Sequence, residues 1–255
     1  MAFPNTVYLG YGMEKVETSG QKHKLGTRAE TPDGRVFYYA KNSSAAITPA
    51  GKIVDGKASV AAQDMDLAAT EAHSAGDTTI SIEVPTTDLT KDQYKDGYLI
   101  CNDGPGQGEV YRIKSHPAHD ASADNTVIIT LDEPDGIRTA LTTSSLFGLV
   151  HNPYTDVKII DGDGTMTTGP LGVNVIPVTA SYYCWLQTSG ISSVLSGAAV
   201  AVVGDAIGVS QASGESGAFD LWDASSEEDT RPIGHAMSIP SVDTDNQVVM
   251  LVIRN

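Results

Sequence analysis

Short apolar runs separated by turn-forming residues are the feature that most constrains the fold of this chain. The clearest case lies between Leu25 and Lys41, where Thr31-Pro32-Asp33-Gly34 separates two runs with strand character. Proline pre-sets φ and glycine accepts a positive φ, so this tetrapeptide predicts a β-turn within a hairpin. The 25 glycines and 12 prolines of the chain allow many such turns. We therefore expect a mainly β protein in which small barrel or sandwich units are joined by turns.

The returning strand of this hairpin, Arg35 to Lys41, places neighbouring side chains on opposite faces of a sheet. Tyr38 therefore shares the core-facing side with Val36, while Tyr39 shares the other side with the two cations at the ends of the strand. Since the two tyrosines point apart, they cannot form one aromatic binding patch. The hairpin is accordingly interpreted as architectural rather than as a contact surface.

Segments with different patterns predict the domain organisation. Residues 1–24 carry aromatic side chains without a period and are interpreted as an extended N-terminal arm, with a frayed terminus as the alternative. Residues 25–76 and 159–255 are predicted to form a β-rich base domain, and residues 77–158 an inserted β domain. Residues 57–73 are the best candidate for one short helix, because alanine is frequent there and apolar residues share one broad face.

The charge balance argues against two classes of partner. The chain has 32 acidic and 16 basic residues and a net charge of −16, so phosphate backbones and anionic membranes repel it. Neither nucleic acid nor a membrane is therefore expected as a partner. The N-terminus has neither the basic region nor the apolar core of a signal peptide, so synthesis in a cytoplasm is expected.

Known chemical motifs are incomplete wherever the sequence approaches them. The phosphate-loop pattern at residues 51–57 is followed by Ala58 in place of the required serine or threonine. The DGDGT stretch at residues 161–165 lacks the later ligands of a calcium loop, although a loose surface calcium site stays open. Cys101 and Cys184 have no zinc spacing; Cys184 lies in an apolar run that favours a buried thiol, and a disulfide stays open. We therefore expect no enzyme, no cofactor and no metal.

Two stretches resemble virion proteins of tailed bacteriophages. In the first, LGTRAETPDGRVFYYAKNSSAAITPAGKIV, a short strand leads through an Asp-Gly turn to an aromatic strand and a later glycine turn. In the second, YYCWLQTSG precedes an apolar glycine-alanine run, an IGHA stretch and a final VVMLVI strand. The resemblance covers residues 25–55 and 180–255 and is to capsid decoration (cement) or minor head proteins.

The resemblance implies a β-rich structural protein that binds the outer capsid lattice and stabilises it without catalysis. Its expected partners are the major capsid protein and further copies of itself, with a homotrimer as the expected oligomer. Its expected location is the outer capsid surface of a virion made in the host cytoplasm. Phe3, Tyr8 and Tyr11 are the predicted capsid or subunit contacts, on an arm that reaches across to a neighbour. Deletion of residues 1–24 would then leave a folded protein that no longer binds capsids.

The alternative is a tail- or fibre-associated module that binds carbohydrate and recognises a host. An acidic loop at residues 210–231 contains Trp222, and a sugar site combines carboxylates with aromatic side chains. The feature that would distinguish this alternative is a shallow groove lined by Trp185, Trp222 or tyrosines of the inserted domain.

Overall fold

The fold is described from a computed structural model, which defines residues 6–162, 166–197, 202–223, 231–238 and 245–254.

The chain divides into two compact units, each with its own sheet. Unit 1 comprises Met1–Lys57 and Pro153–Asn255, and unit 2 comprises Ala58–Asn152. The predicted inserted domain, residues 77–158, overlaps unit 2. Residues 58–76 belong to unit 2, however, and not to the base domain predicted for them.

The described residues are almost entirely β, which confirms the predicted fold class. They contain one helical element, the 3₁₀ helix Met13–Lys15. In chain order the strands are β1 (Thr6–Tyr8), β2 (Arg28–Glu30), β3 (Val36–Lys41), β4 (Ile53–Asp55), β5 (Leu67–Ala68), β6 (Thr79–Glu83), β7 (Tyr98–Asp103), β8 (Val110–Ser115), β9 (Thr126–Leu131), β10 (Leu146–Val150), β11 (Lys158–Ile159), β12 (Gly172–Asn174), β13 (Tyr183–Leu195), β14 (Ala206–Val209), β15 (Phe219–Leu221), β16 (Gly234–Ala236) and β17 (Asn246–Val252).

Unit 1 contains an open, mostly antiparallel sheet with the strand order β1-β2-β3-β13-β17-β16-β14-β15. Strand β12 pairs with both β13 and β4, and β4 pairs with β11. The first half of β13 pairs with β3, so that Trp185 lies opposite Tyr39. Its second half pairs with β17, so that Ser193 lies opposite Val248. A bulge after Gln187 separates the two halves, and each half packs on its own core.

Unit 2 is a six-stranded sheet that nearly closes into a small barrel. Its strand order is β5-β10-β7-β8-β9-β6, and an antiparallel bridge between Ala69 and Ile82 brings the two ends of this order together. Side chains such as Ile80, Ile129 and Phe147 fill the interior and are fully buried. Because the sheet curves onto itself, one layer of strands buries the whole core.

The prediction of a helix over residues 57–73 is wrong. Turns, strand β5 and single bridges occupy that stretch. Asp66 has a φ of 62°, which a right-handed helix does not allow. Leu67 pairs with Phe147 and is buried inside the barrel. Pairing with a distant strand therefore overrides the local helix propensity of an alanine-rich sequence.

Candidate functional site

The predicted hairpin is present as β2 and β3, which pair antiparallel with Arg28 opposite Tyr38. The two tyrosines have different neighbours, as the alternation predicts: Tyr38 stacks on Tyr154 with ring centroids 5.3 Å apart, whereas Tyr39 meets Trp185 edge-on at 4.9 Å. Both faces of β3 are nevertheless buried, and Tyr39 is only 3% exposed. A second layer must therefore lie over the Tyr39 face.

That layer is the N-terminal part of the same chain. Residues 9–25, here called the cover segment, run across the Tyr39 face of β3 and the first half of β13. The backbone N–H of Lys22 donates to Tyr39 Oη at 3.0 Å. The ring of His23 lies 5.2 Å from the rings of both Tyr39 and Trp185. The cover segment thus converts this half of the sheet into a core layer.

Hydrogen bonds fasten the cover segment to the sheet. Thr18 exchanges two backbone hydrogen bonds with Tyr183, at 3.0 and 2.8 Å. The carboxylate of Glu17 accepts one hydrogen bond from the backbone N–H of Thr179 and one from its hydroxyl, both at 2.7 Å. Leu25, at the end of the segment, is buried in the same core as Tyr39.

An ion-pair group lies where the cover segment meets the middle of β13. Glu14 is buried, and its carboxylate accepts a hydrogen bond from the backbone N–H of Gly12 at 2.7 Å. Arg35 reaches Glu14 at 3.4 Å and Asp33 at 2.8 Å. The pKa of Asp33 lies below its ordinary value because the hydroxyl of Thr31 donates to it and Arg35 adds a hydrogen bond and a positive charge. Two carboxylates therefore offset the single positive charge of Arg35.

The second half of β13 has one face in the core and one in solvent. Ser192 and Val194 point inward and are buried, whereas Ile191, between Gly190 and Ser192, is 53% exposed. The cover segment contacts Tyr39 and Trp185 beside the first half of β13, and these contacts do not extend to the second half of the strand.

Strand β17 repeats the same alternation beside it. Val249 and Leu251 are fully buried, while Val248 is 42% and Val252 46% exposed. The apolar run at residues 248–253 suits a strand that is buried on both faces, but alternate side chains of β17 face solvent.

These outward side chains form one surface, here called the open face. The strand register places its members beside one another across β13 and β17. Its members are Ile191, Ser193, Leu195, Asn246, Val248, Met250 and Val252. An antiparallel sheet with one solvated face normally carries polar residues there, but five of these seven are apolar. A contiguous exposed apolar surface of this kind is typical of an interaction site.

A cavity of about 330 Å³ opens beside the open face, toward the 3₁₀ helix. Its lining includes Lys15, Arg35, Gln187, Ile191, Asn246 and Val248. None of the lining residues is a carboxylate, although acidic residues outnumber basic ones by 32 to 16 in the chain. Lys15 is exposed and has no ion-pair partner within the described residues. Lys15 therefore places in this lining one cation that has no carboxylate partner among the described residues.

Of the predicted contact residues of the N-terminal arm, Tyr8 and Tyr11 do not line this cavity. Phe3 lies outside the described residues, while Tyr8 and Tyr11 are 77% and 67% exposed. Tyr8 ends β1, which pairs in parallel with β2. Residues 1–24 therefore do not form a free arm throughout their length, because most of the cover segment lies among them. Because these residues pack on Tyr39 and Trp185, we expect their deletion to destabilise unit 1 and not to leave its fold unchanged.

The aromatic groove of the carbohydrate alternative is only partly available. Trp185 is buried beneath the cover segment and cannot line an open groove. Tyr94 and Tyr111 of unit 2 are likewise buried. Trp222 is half-buried, and residues 224–230 of the acidic loop lie outside the described residues.

Four histidines of unit 2 are buried: His73, His116, His119 and His151. His73 Nε2 accepts the backbone N–H of Ser81 at 3.0 Å, and His116 Nε2 accepts that of Tyr94 at 3.0 Å. Burial lowers the pKa of His116. These bonds hold the barrel together and leave the rings closed to an outside ligand.

The two cysteines are free and buried, one in each unit. Burial raises the pKa of Cys184 in unit 1 to about 12, and it also raises the pKa of Cys101 in unit 2. Within the described ranges, no group of three or more His, Cys, Asp or Glu side chains is arranged to hold a metal ion. The part of the chain that the structure describes also contains no helix able to cross a membrane.

One sequence signal pointed toward the open face. The stretch VVMLVI in β17 is unbroken by polar residues, and such a run in an antiparallel sheet predicts that both faces are covered. Among the described residues, only one face of this strand is covered. The cavity lining, in contrast, joins Lys15 to residues more than 170 positions later, and no local pattern connects them.

Comparisons of the chain with protein-family models, with curated proteins and with solved structures find no match in any of the three.

Proposed function

We propose that this chain is a structural protein of a virion that binds the outer capsid lattice through its open face and stabilises that lattice without catalysis. The observation that carries the proposal is the uncovered apolar sheet surface around Ile191, Val248 and Val252. A partner that covers this surface removes apolar side chains from water, which is the main favourable term in protein association.

A lattice suits a surface of this size. One sheet face covered by a partner gives an interface at or below the standard ~800 Å² per partner. Such a contact is of modest affinity alone, but copies that each hold more than one neighbour on a repeating lattice gain by multivalency. The proposed assembly is a homotrimer on the capsid surface, with the major capsid protein as the partner.

The sequence resemblance supports the same proposal from a different direction. Residues 25–55 contain β2, β3 and β4, and residues 180–255 contain β13 to β17. These are the strands that build the sheet of unit 1 and carry the open face. The stretches that resemble decoration proteins are therefore also the stretches that build the proposed contact surface.

The proposal is tested with particles of the virus that encodes the chain. Particles that lack the protein are mixed with recombinant protein, and bound copies per major capsid protein are counted by quantitative mass spectrometry. We expect binding to saturate at a fixed ratio. The double variant Ile191→Ser, Val248→Ser should bind at least about tenfold more weakly, because two half-exposed aliphatic side chains lose their apolar contacts.

Ile128→Ser is the matched control, since Ile128 is 51% exposed on unit 2, close to the value for Ile191. This variant should bind particles as the unmodified protein does. The proposal is wrong if purified particles contain no copies of the protein, or if the double variant saturates them at the same concentration as the control.

A further inference from the structure

We infer that the cavity beside the open face binds an acidic-apolar peptide segment of the partner protein, with a carboxylate at Lys15 and a neighbouring aliphatic side chain on Ile191 and Val248. The inference deepens the proposed function, on which it rests, because it names the chemistry of the segment that covers the open face. It concerns an extended segment and not a folded surface, since the site is a groove between a helical turn and a sheet.

The positive charge of Lys15 favours an acidic side chain in this segment. Arg35 is paired with two carboxylates, Glu14 and Asp33, so it adds no positive charge to the cavity. Lys15 has no ion-pair partner within the described residues, and no carboxylate lines the cavity. On a chain with a net charge of −16, this is a place where an acidic segment meets attraction instead of repulsion.

The apolar part of the segment follows from the sheet. Ile191 and Val248 line the cavity and also belong to the open face, so the two surfaces are continuous. Asn246 places an exposed side-chain amide in the same lining, where it can bond the backbone of an extended chain, whereas the amide of Gln187 is buried and donates to the carbonyls of Ser189 and Ile191. A peptide whose carboxylate meets Lys15 can therefore continue across the open face with aliphatic side chains.

The cover segment is an example, within the same molecule, of an irregular chain that packs on this sheet. It lies over the first half of β13 as an irregular chain, held by backbone hydrogen bonds from Thr18 and Lys22. It reaches the cavity at Lys15, where the cover of the sheet ends. The occupant that we infer continues this layer over the second half of the same strand.

Two blocked pentapeptides test the inference in solution without particles. One alternates leucine with glutamate, and the other carries lysine in place of each glutamate. Each is titrated into the ¹⁵N-labelled full chain, and amide shifts are followed by NMR. We expect saturable shifts at Lys15, Ile191 and Val248 with the acidic peptide, at least about fivefold tighter binding than with the basic peptide, and loss of this preference at high salt.

Lys15→Glu should weaken the acidic peptide about fivefold or more, since it replaces attraction by repulsion at an exposed site. Lys22→Glu is the matched control: Lys22 is also exposed in the cover segment, and its contact with Tyr39 uses only the backbone. This variant should change the affinity less than about twofold.

The outcomes separate the inference from the proposed function. If both peptides bind equally, or Lys15→Glu has no effect, the inference is wrong, while particle binding that is lost with Ile191→Ser still supports the proposed function. If the acidic preference depends on Lys15 but no particle binds the protein, the segment chemistry stands and the capsid assignment fails. If Lys15→Glu instead converts an oligomer to monomers in sedimentation, the occupant is a second copy, which overturns the inference.

Discussion

Unit 1 and unit 2 bury the apolar faces of their sheets in different ways. In unit 2 the sheet curves until the bridge between Ala69 and Ile82 joins its two ends, and the strands enclose their own core. In unit 1 the sheet stays open, and each of its two faces needs a separate cover. The cover segment supplies that layer over Tyr39 and Trp185, but the open face has none from the described chain. A closed barrel is complete by itself, whereas an open sheet can leave part of its covering to a partner.

The largest expected effect is the loss of stability of unit 1, but not of unit 2, when the cover segment is removed. Deletion of residues 1–24 should expose Tyr39 and Trp185, and exposing each large buried side chain costs about 1.5–3 kcal/mol. For both side chains together, this is a large part of the ~5–15 kcal/mol by which a typical domain is stable. Both tryptophans of the chain lie in unit 1, so urea unfolding followed by tryptophan fluorescence reports that unit alone. We expect unit 1 to unfold at much lower urea or without any transition.

Unit 2 provides the internal reference for this deletion. Methyl NMR signals of Ile80 and Ile129 in the barrel core should keep their native positions. A truncated protein whose tryptophan transition is unchanged would show that the cover segment is dispensable, and the contrast between the units would then disappear.

A single substitution makes the same test with a smaller expected effect. Tyr39→Ala should destabilise unit 1 by about 3–5 kcal/mol, because a buried ring is replaced by a cavity under the cover segment. Tyr39→Phe keeps the ring but removes the hydroxyl that accepts the Lys22 N–H and contacts the Thr18 hydroxyl, and it should cost about 1 kcal/mol. Ile191→Ala, on the open face, should cost less than about 1 kcal/mol. Equal effects of Tyr39→Ala and Ile191→Ala in urea titrations would contradict the distinction between covered and open halves of β13.

Acid should weaken unit 2 more than unit 1. His116 Nε2 accepts the Tyr94 N–H and so carries no proton, which makes the ring the neutral tautomer whose Nδ1–H donates to Pro117 O. Burial lowers the pKa of His116, with a smaller opposing effect of Asp92. The native state therefore binds fewer protons than the unfolded state, so this contribution is complete above about pH 6.5 and declines as the pH falls toward the folded-state pKa. Loss of the acceptor should cost about 1–3 kcal/mol.

This acid effect is measured by urea titration near pH 7.5 and pH 5, with barrel methyl signals for unit 2 and tryptophan fluorescence for unit 1. His119 is a suitable control position, because its Nε2–H donates to Val84 O and a protonated ring keeps that bond. His119→Gln should therefore retain the difference between the two pH values, whereas His116→Gln should reduce it. A urea midpoint of unit 2 that is the same at both pH values would contradict this prediction.

The smallest effect concerns exposed apolar surface. Ile191→Ser and Ile128→Ser should each change the free energy of unfolding by less than about 0.5 kcal/mol, since both side chains lie half in water. Only Ile191→Ser should lower the binding of a hydrophobic fluorescent dye, because Ile191 belongs to a continuous apolar face. Equal dye binding by both variants would place the apolar surface elsewhere.

The sequence predicted those parts of the fold that depend on local chemistry. The turn at Thr31 to Gly34 and the alternation in β3 were recognisable because proline, glycine and side-chain period act over a few residues. The same alternation separated Tyr38 from Tyr39 correctly. It could not reveal that Tyr39 is buried, because the cover comes from about 20 residues earlier in the chain.

The failures share this non-local origin. Residues 57–73 satisfy helix propensity, yet the barrel requires Leu67 opposite Phe147, and Gly148 has no room for a Cβ because the backbone of Asp64 passes over it. The open face was hinted at by the apolar run of β17, but the cation of the cavity comes from Lys15, at the other end of the chain. A pattern in one strand can therefore indicate that a cover is needed, without indicating what borders it.

Each unit contains one buried cysteine, whose modification can report when that unit opens. Cys184 in unit 1 and Cys101 in unit 2 are both buried, and burial suppresses the thiolate that alkylating reagents attack. A thiol reagent can therefore modify each unit only while that unit is open. Timed alkylation followed by peptide mass spectrometry would read the opening rates of barrel and open sheet side by side, in the unmodified protein and, by the same measurement, on a capsid.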